Sequence, residues 1–553
     1  MKRGTRLLAV IFAVLAALPA QAQQAAPGAQ DDPVLRAMSA ELERSRQRLQ
    51  LEQLDRPYYI EYSVTDIQEH SADAAFGALL QENRQRSRLI RAVVRVGDYK
   101  DDSYFGPGMG QVAFATLGDD ELALRYQLWL ATDAAYKNAL AARTAKQAML
   151  KDLVVEHPVD DFSREASTVS IGPRVAGEKD PDGRRDLARS ISALFRDDPK
   201  IDAANVHYEY RGVNRYLLNT EGTVGRSGSE NYTLYFTASS QAPDGMRLGL
   251  SRDWVMARGE ELPPAGVVRE AARKLIADMA ALRQAPVVED TYRGPVLFAA
   301  DAAKMIFWNM VGPAITGDQP PPSDSARTTG PWASYYKSRV LPDFLSVVDD
   351  PTAPSFNGRT LVGNYALDDE GVTAAPVTVV EKGILTNYLI GRQPIRDSPH
   401  SNGHGRAAPG GAPIASFANL FVRANPGYSF EELKQKLIEM CKQQGKPYGL
   451  LVYSAASGNN VAPELMYRVW AEDGRLELVR GGTFAELDVR TLRNEMVAAG
   501  NDLQADNSNE AIPKAVINPS VLFEELEVQR NTRLQETLPA YSAPAMRAAS
   551  VRR

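Results

Sequence analysis

The stretch "LDDEGVTAAPVTVVEKGILTNYLIGRQ", Leu367 to Gln393, is the most legible part of this chain. Apolar and β-branched runs fill it, and "DDEG" and "EKG" punctuate it. Asp and Gly supply turn hydrogen bonds and a positive φ, so the stretch reads as two or three strands joined by tight turns. Asp368, Asp369 and Glu370 put three carboxylates in a row. A metal or acid–base role is open to such a row, but strand-like runs on both sides favour a hairpin turn.

Working outward, the C-terminal side continues as strands. "YGLLVYSAAS", "PELMYRVWAEDGRLELVRGGTFAEL" and "VLFEELEVQR" are rich in β-branched and aromatic residues, and "SFEELKQKLIEMCKQQGK" between them has helical spacing. On the N-terminal side, "YRGPVLFAADAAKMIFWNMVGPA" reads as a short apolar strand followed by a helix. "MIFWNMVGPAITGD", Met305 to Asp318, runs that helix into a Gly-bearing turn. Further upstream, Asp32-Pro33 is an N-cap followed by Pro at N1, opening a helix to about Leu54. "YYIEYSVTDI", "FGALLQENR" and "SRLIRAVVRVGDY" read as separate strands, and the Ala-rich run from Asp120 to Leu153 as helical. "RRDLARSISALFR" is a helix, and strands follow with turns at "NTEG" and "RSGSEN". "GVVREAARKLIADMAAL" is amphipathic, with Val267, Ala271, Leu275 and Met279 on its apolar face. The pattern is α+β. An N-terminal helix-plus-antiparallel-sheet domain (residues 23–285) is followed by a β-rich C-terminal domain (290–530) and a flexible tail (531–553) with little to bury.

At 553 residues the chain is too long for one ordinary core. Its net charge of −6 offers no electrostatic footprint for nucleic acid or an anionic membrane. Residues 1–22 read as a signal peptide: Lys2, Arg3 and Arg6 precede the apolar run Leu7 to Leu18, and Ala20-Gln21-Ala22 forms a cleavage site. The apolar run is short for a membrane span, so the expectation is a cleaved, exported, periplasmic protein with no stable membrane span. Cys441 is the sole cysteine, which excludes an intrachain disulfide and a Cys-rich metal site. Its place on a helical apolar face reads as a buried structural thiol.

Five histidines are available. His70, His157 and His207 stand alone. His400 and His404 form H-x3-H, a spacing that faces one metal on a helix, but "SPHSNGHGRAAPGG" is too rich in Gly and Pro to hold a helix. "GPGMGQVAF" lacks the strand–loop–helix setting of a nucleotide-binding loop, and no nucleophile elbow or Walker loop is present. The residues alone give an exported multi-domain α+β protein with no assembled active site.

Several stretches together resemble the TldD/PmbA family, the modulators of DNA gyrase. "LDDEGVTAAPVTVVEKGILTNYLIGRQ" resembles the family's D-D-E-G segment and the hairpin after it. "SNGHGRA", "SFEELKQKL", "RGGTFAEL" and "AAGNDL" resemble successive later segments, and "YLLNTEG" resembles the N-x-E-G turn of the N-terminal domain. The resemblance runs from about Pro57 to Val528. It implies dimers around an internal peptide chamber, with TldD-type members as zinc peptidases that bind unfolded peptide. Their zinc is held by H-E-x-x-x-H on a helix, followed by V-G and G-D landmarks, and by a Cys downstream of G-N-D-L. PmbA-type members lack these ligands and pair with a TldD-type subunit.

Val311-Gly312 and Gly317-Asp318 match the landmarks. Trp308 and Pro313 then stand where the two histidines belong, and Asn309 where the glutamate belongs. "GNDLQADNSNEAIPKAVINP" contains no Cys. A catalytic zinc needs three protein ligands and a base, so the resemblance implies a non-catalytic, PmbA-like protein with no cofactor. Its partner is then a TldD-like catalytic subunit or a second copy. Two alternatives stay open: an active zinc metallopeptidase with displaced ligands such as His400 and His404, and a stand-alone peptide-binding scaffold.

Overall fold

In a computed structural model the chain is described over residues 31–288, 291–456, 461–485 and 487–541. The signal-peptide expectation for residues 1–22 lies outside the described residues. Helix α1 (Pro33–Arg48) starts as its sequence dictates, with Pro33 in the first turn and the Asp32 carboxylate accepting from the Val34 and Leu35 N–H groups. Strands β1 (Pro57–Ala75) and β2 (Ala78–Val96) form a long antiparallel hairpin. β2 runs unbroken where the sequence suggested two strands. Its polar middle, "QENRQRS", is the solvated part of one ribbon, because exposed strand residues need no apolar partner. A short β3 (Gln111–Phe114) leads to the single helix α2 (Glu121–Leu150). β4 (Val169–Ile171), helix α3 (Pro181–Ser192), and strands β5 (Ile201–Asn219), β6 (Val224–Gln241) and β7 (Arg247–Met256) complete the first half, which ends in helix α4 (Ala265–Gln284).

These strands form one seven-stranded sheet in the order β3-β2-β1-β5-β6-β4, with β7 also on β6. "RSGSEN" is not a turn. It lies inside β6 opposite Arg211 to Tyr216 of β5. The apolar face of α4 is made by Val268, Ala272, Leu275 and Met279, while Val267 is 54% exposed, so the stripe is rotated by one residue from the expected one at its N-terminal end.

Side-chain alternation explains how the sheet is used. Even-numbered residues of the central strands pack under helices: Ile60, Tyr62, Val64, Tyr216 and Leu218 under α1 and α2, and Val206, Tyr208, Leu234, Phe236 and Leu250 in the core containing α3 and α4. The odd-numbered face carries Thr233, Tyr235, Asp253 and Val255, and these line clefts shared with the second half of the chain.

That second half is β-rich, giving an α+β protein with an N-terminal domain and a β-rich C-terminal domain. β8 (Tyr292–Phe298) sits at the centre of a seven-stranded sheet, parallel to Tyr448–Ala456 and antiparallel to Val521–Arg530. A six-stranded sheet contains Leu345–Asp349, Val377–Glu381, Asn419–Ala424 and Ala515–Asn518. The stretch Leu367 to Gln393 supplies the hairpin Val377–Glu381 and Ile384–Leu385, turning at Lys382-Gly383. Past residue 530, expected as a free tail, the backbone is tied down through Gln535 and Glu536: Gln535 bridges Met246, and the Glu536 N–H donates to the Gly245 carbonyl.

Candidate functional site

Helix α5 (Ala300–Ile306) leads into a π turn at Phe307–Val311 and a 3₁₀ turn at Gly312–Ala314. Pro313 has no N–H to donate and its ring crowds the preceding carbonyls, so a regular helix cannot run through it. In the π turn the Gly312 N–H reaches the Phe307 carbonyl, an i→i+5 bond. Phe417 lies against this turn, and a Cβ on Gly312 would come within 2.5 Å of its ring.

Trp308 is half-buried. Its ring meets Phe417 edge-on at 5.2 Å, and its Nε1–H donates to Glu510 Oε1 at 3.2 Å. The Lys514 ammonium lies over both rings, 5.8 Å from Trp308 and 5.0 Å from Phe417, and pairs with Glu510 at 3.1 Å. The indole therefore acts as packing and as a donor. Asn309 lines the same cleft, while the ring of Pro313 is exposed.

The cleft beside Trp308 has a volume of about 420 Å³ and lies between the odd face of β6 and β7 and the strand Gln504–Asn507. Lys304, one turn before Trp308, projects into it. Its ammonium is buried and pairs with Asp301 at 3.1 Å and Asp506 at 3.2 Å. Burial pulls the Lys304 pKa down, but Asp506, Asp253 and Asp301 more than reverse this and hold it charged. Burial raises the Asp506 carboxyl, against the pull of Lys304. A smaller polar hollow of about 180 Å³ shares Asp253, Lys304 and Asp506 and includes Glu464. Burial pushes the Glu464 carboxyl up to about 7 although Ser251 donates to it at 2.6 Å. None of these charged residues was singled out in the sequence. Their only signal was a lone Lys in the apolar run "FAADAAKMIFWNM".

The LDDEG segment is a turn, closed by a Leu367–Thr373 bridge with Gly371 at φ 81°. Its three carboxylates face inward and join the two halves of the chain. Asp369 accepts from Arg215 of β5 at 2.9 Å, from Arg406 at 3.1 Å and from the Ala407 N–H at 2.8 Å. Burial raises its pKa, but the two guanidinium groups bring it below the ordinary carboxylate value. Asp368 accepts three backbone N–H groups, from Glu370, Val372 and Gly405. Glu370 accepts from the Arg392 N–H and the Gln393 amide. Arg392 in turn reaches Tyr59 and Glu221 of the N-terminal sheet region. With every carboxylate matched by donors, the cluster is a joint.

His400 and His404 do not converge. His400 is 70% exposed and 3.6 Å from Glu165, whereas His404 is 0% exposed. His404 Nε2 faces Asp349 at 2.9 Å and Nδ1 faces the Asn402 carbonyl at 2.9 Å, so both nitrogens are committed to hydrogen bonds. Among the described residues no three His, Cys, Asp or Glu side chains are grouped to hold a metal ion. Cys441 is buried in the helix Phe430–Gln443, and burial raises its thiol to about 11.

Residues 291–530 match the PmbA/TldA metallopeptidase C-terminal domain. This C-terminal part is a PmbA/TldD-type domain. A metalloprotease of Archaeoglobus fulgidus is 28% identical over 196 residues, covering 33% of this chain and 42% of that protein. A metalloprotease of Methanocaldococcus jannaschii is 37% identical over 97 residues, covering 17% of this chain and 20% of that protein. The chain thus matches less than half the length of either relative. Over nearly the whole fold it is similar to TldE from Thermococcus kodakarensis, with a TM-score of 0.61 at 14% identity, covering 89% of this chain and 99% of that one. It is also similar to a candidate DNA gyrase modulator from Thermotoga maritima, with a TM-score of 0.58 at 17% identity, covering 89% and 99%. At these identities the likeness concerns the fold. Set in this PmbA/TldD-family domain, Trp308, Asn309 and Pro313 do not fit a zinc: the indole nitrogen is a donor already engaged, proline has no donor atom, and the amide is neutral.

Proposed function

We propose that this chain is an exported, non-catalytic PmbA/TldD-family subunit that completes a peptide-holding chamber with a zinc-bearing, TldD-like partner in proteolysis. The observation that carries this reading is the state of the π turn. Trp308, in the π turn, and Pro313, in the 3₁₀ turn after it, offer no lone pair to a metal. Trp308 instead packs edge-on against Phe417 and donates a hydrogen bond to Glu510.

Other residues do not refill the site. His404 has both nitrogens engaged, and the sole cysteine lies in a buried helix. Hence the reading with displaced ligands at His400 and His404 is the weaker one. Export rests on the charged, apolar and A-x-A segments of residues 1–22. An exported chain with a net charge of −6 has neither access to gyrase nor a basic surface for nucleic acid.

The test is isolation of the tagged chain, with its bound proteins, from its native source. Co-purification of a zinc-bearing relative in equal amount is the expected result. A homodimer with no zinc-bearing relative would overturn the partner assignment.

A further inference from the structure

The cleft beside Trp308 has more acceptors than its own donors satisfy. Asp253, on the odd face of β7, makes no hydrogen bond or ion pair among the described residues while lining both the cleft and the hollow. The Asn509 amide nitrogen donates to Glu209 Oε2 at 2.8 Å, which fixes the amide's orientation, and its Oδ1 has no donor. Thr233 is only 6% exposed, lines the cleft, and leaves its Oγ1 without a partner. Ser508 Oγ is in the same position. Carboxylate and amide oxygens only accept, so the missing partner must bring hydrogen-bond donors.

Most of the local cations are already committed, although Arg359 Nε has no hydrogen-bond partner among the described residues. Lys304 is shared by Asp301 and Asp506, and Arg252 lies 3.7 Å from Asp301. Arg359 donates to the carbonyls of Ala505 and Val255. Lys514 pairs with Glu510, and His207 sits between Asp73 and Glu209. The remaining field is negative, from Asp253 and from Glu464 in its ionised form.

We infer that this cleft receives a cationic side chain, the ammonium of a lysine or the guanidinium of an arginine, carried on an extended peptide. The cationic head enters the polar hollow between Asp253 and Glu464, and the peptide main chain lies in the wider cleft against Thr233 and Asn509. This deepens the peptide-holding reading above and rests on it. An anionic side chain in the same place would face four carboxylates, Asp253, Asp301, Asp506 and Glu464, against three cations, Arg252, Lys304 and Arg359, of which the first two already pair with carboxylates. The raised Glu464 carboxyl agrees with this occupant, since a cation beside it offsets the burial that keeps it protonated.

The test is calorimetric titration of the purified chain with three unstructured peptides of equal length, acetylated and amidated at their ends. One carries Lys and Arg, one is neutral and one carries Glu. The basic peptide should bind about tenfold more tightly than the neutral one, the acidic peptide more weakly still, with the preference fading in high salt. Asp253→Asn should remove the preference and leave neutral-peptide binding intact, and Asp253→Glu should retain it. Because the Asp253 side chain makes no hydrogen bond among the described residues and Lys304 keeps Asp301 and Asp506, circular dichroism should show both variants folded. Equal binding of all three peptides, or a preference that survives Asp253→Asn, would overturn the inference while leaving peptide holding in place. Binding of none would overturn peptide holding itself.

Discussion

The chain contains two clusters of buried carboxylates, and they differ in how completely their hydrogen bonds are met. At the LDDEG turn, Asp368, Asp369 and Glu370 are surrounded by backbone N–H groups, Arg215, Arg392 and Arg406. At the Lys304 cleft, Thr233 Oγ1, Ser508 Oγ and Asn509 Oδ1 have no hydrogen-bond partner among the described residues, and the Asp253 carboxylate lines the same cleft without one. A buried polar group without a partner costs about 1–3 kcal/mol. A fold keeps such groups where something else meets them. The first cluster therefore reads as a joint between the two halves, and the second as a place for a ligand.

The contrast is broken most directly at Asp369. Asp369→Ala would leave Arg215 and Arg406 partly buried without their shared carboxylate. The expected loss is about 3–5 kcal/mol in urea unfolding. A loss below about 1 kcal/mol would mean that the turn is not a joint.

Glu464 provides a pH test. Its folded carboxyl is raised to about 7 from 4.5, so the folded state holds the proton more tightly than the unfolded one. This group's contribution to stability is greatest below about 4.5, falls as pH rises from there to about 7, and stays flat above. The full change approaches about 3 kcal/mol as an upper bound. Glu464→Gln should flatten that part of the pH–stability curve and stabilise the chain at pH 8. An unchanged slope would show that Glu464 is solvated.

Trp308→Ala removes the edge contact with Phe417 and the bond to Glu510. For a half-buried indole the expected loss is about 1–3 kcal/mol in thermal unfolding. Asp253→Asn should change stability by less than about 0.5 kcal/mol, since no pair is broken. A large loss there would place Asp253 with the joint, and the distinction between the two clusters would fail.

Much of the fold was legible in the sequence, for physical reasons. Asp32-Pro33 announces a helix start because an acceptor and a missing N–H both suit that position. The Lys382-Gly383 turn and its flanking strands were equally plain. The polar middle of β2 and "RSGSEN" in β6 misled because solvated strand residues look like turns until their long-range partners are known. At the site, the placing of Trp308, Asn309 and Pro313 where ligands and base are expected came from the resemblance to the TldD/PmbA family and not from any local pattern. The Lys304 cleft could not, because Thr233, Asp253, Glu464 and Asp506 come from distant segments that only the packed domains bring together. Asp253 and Asp506 carry no local pattern, and only the unpaired state of one and the Lys304 partnership of the other distinguish them.

The central claim is that positions 308, 309 and 313 no longer serve a metal. Elemental analysis of the purified chain, after dialysis against a weak chelator, tests it most directly. The account predicts far less than one zinc per chain, unchanged by Trp308→Ala. One tightly held zinc per chain would contradict it and return the chain to the catalytic members of its family.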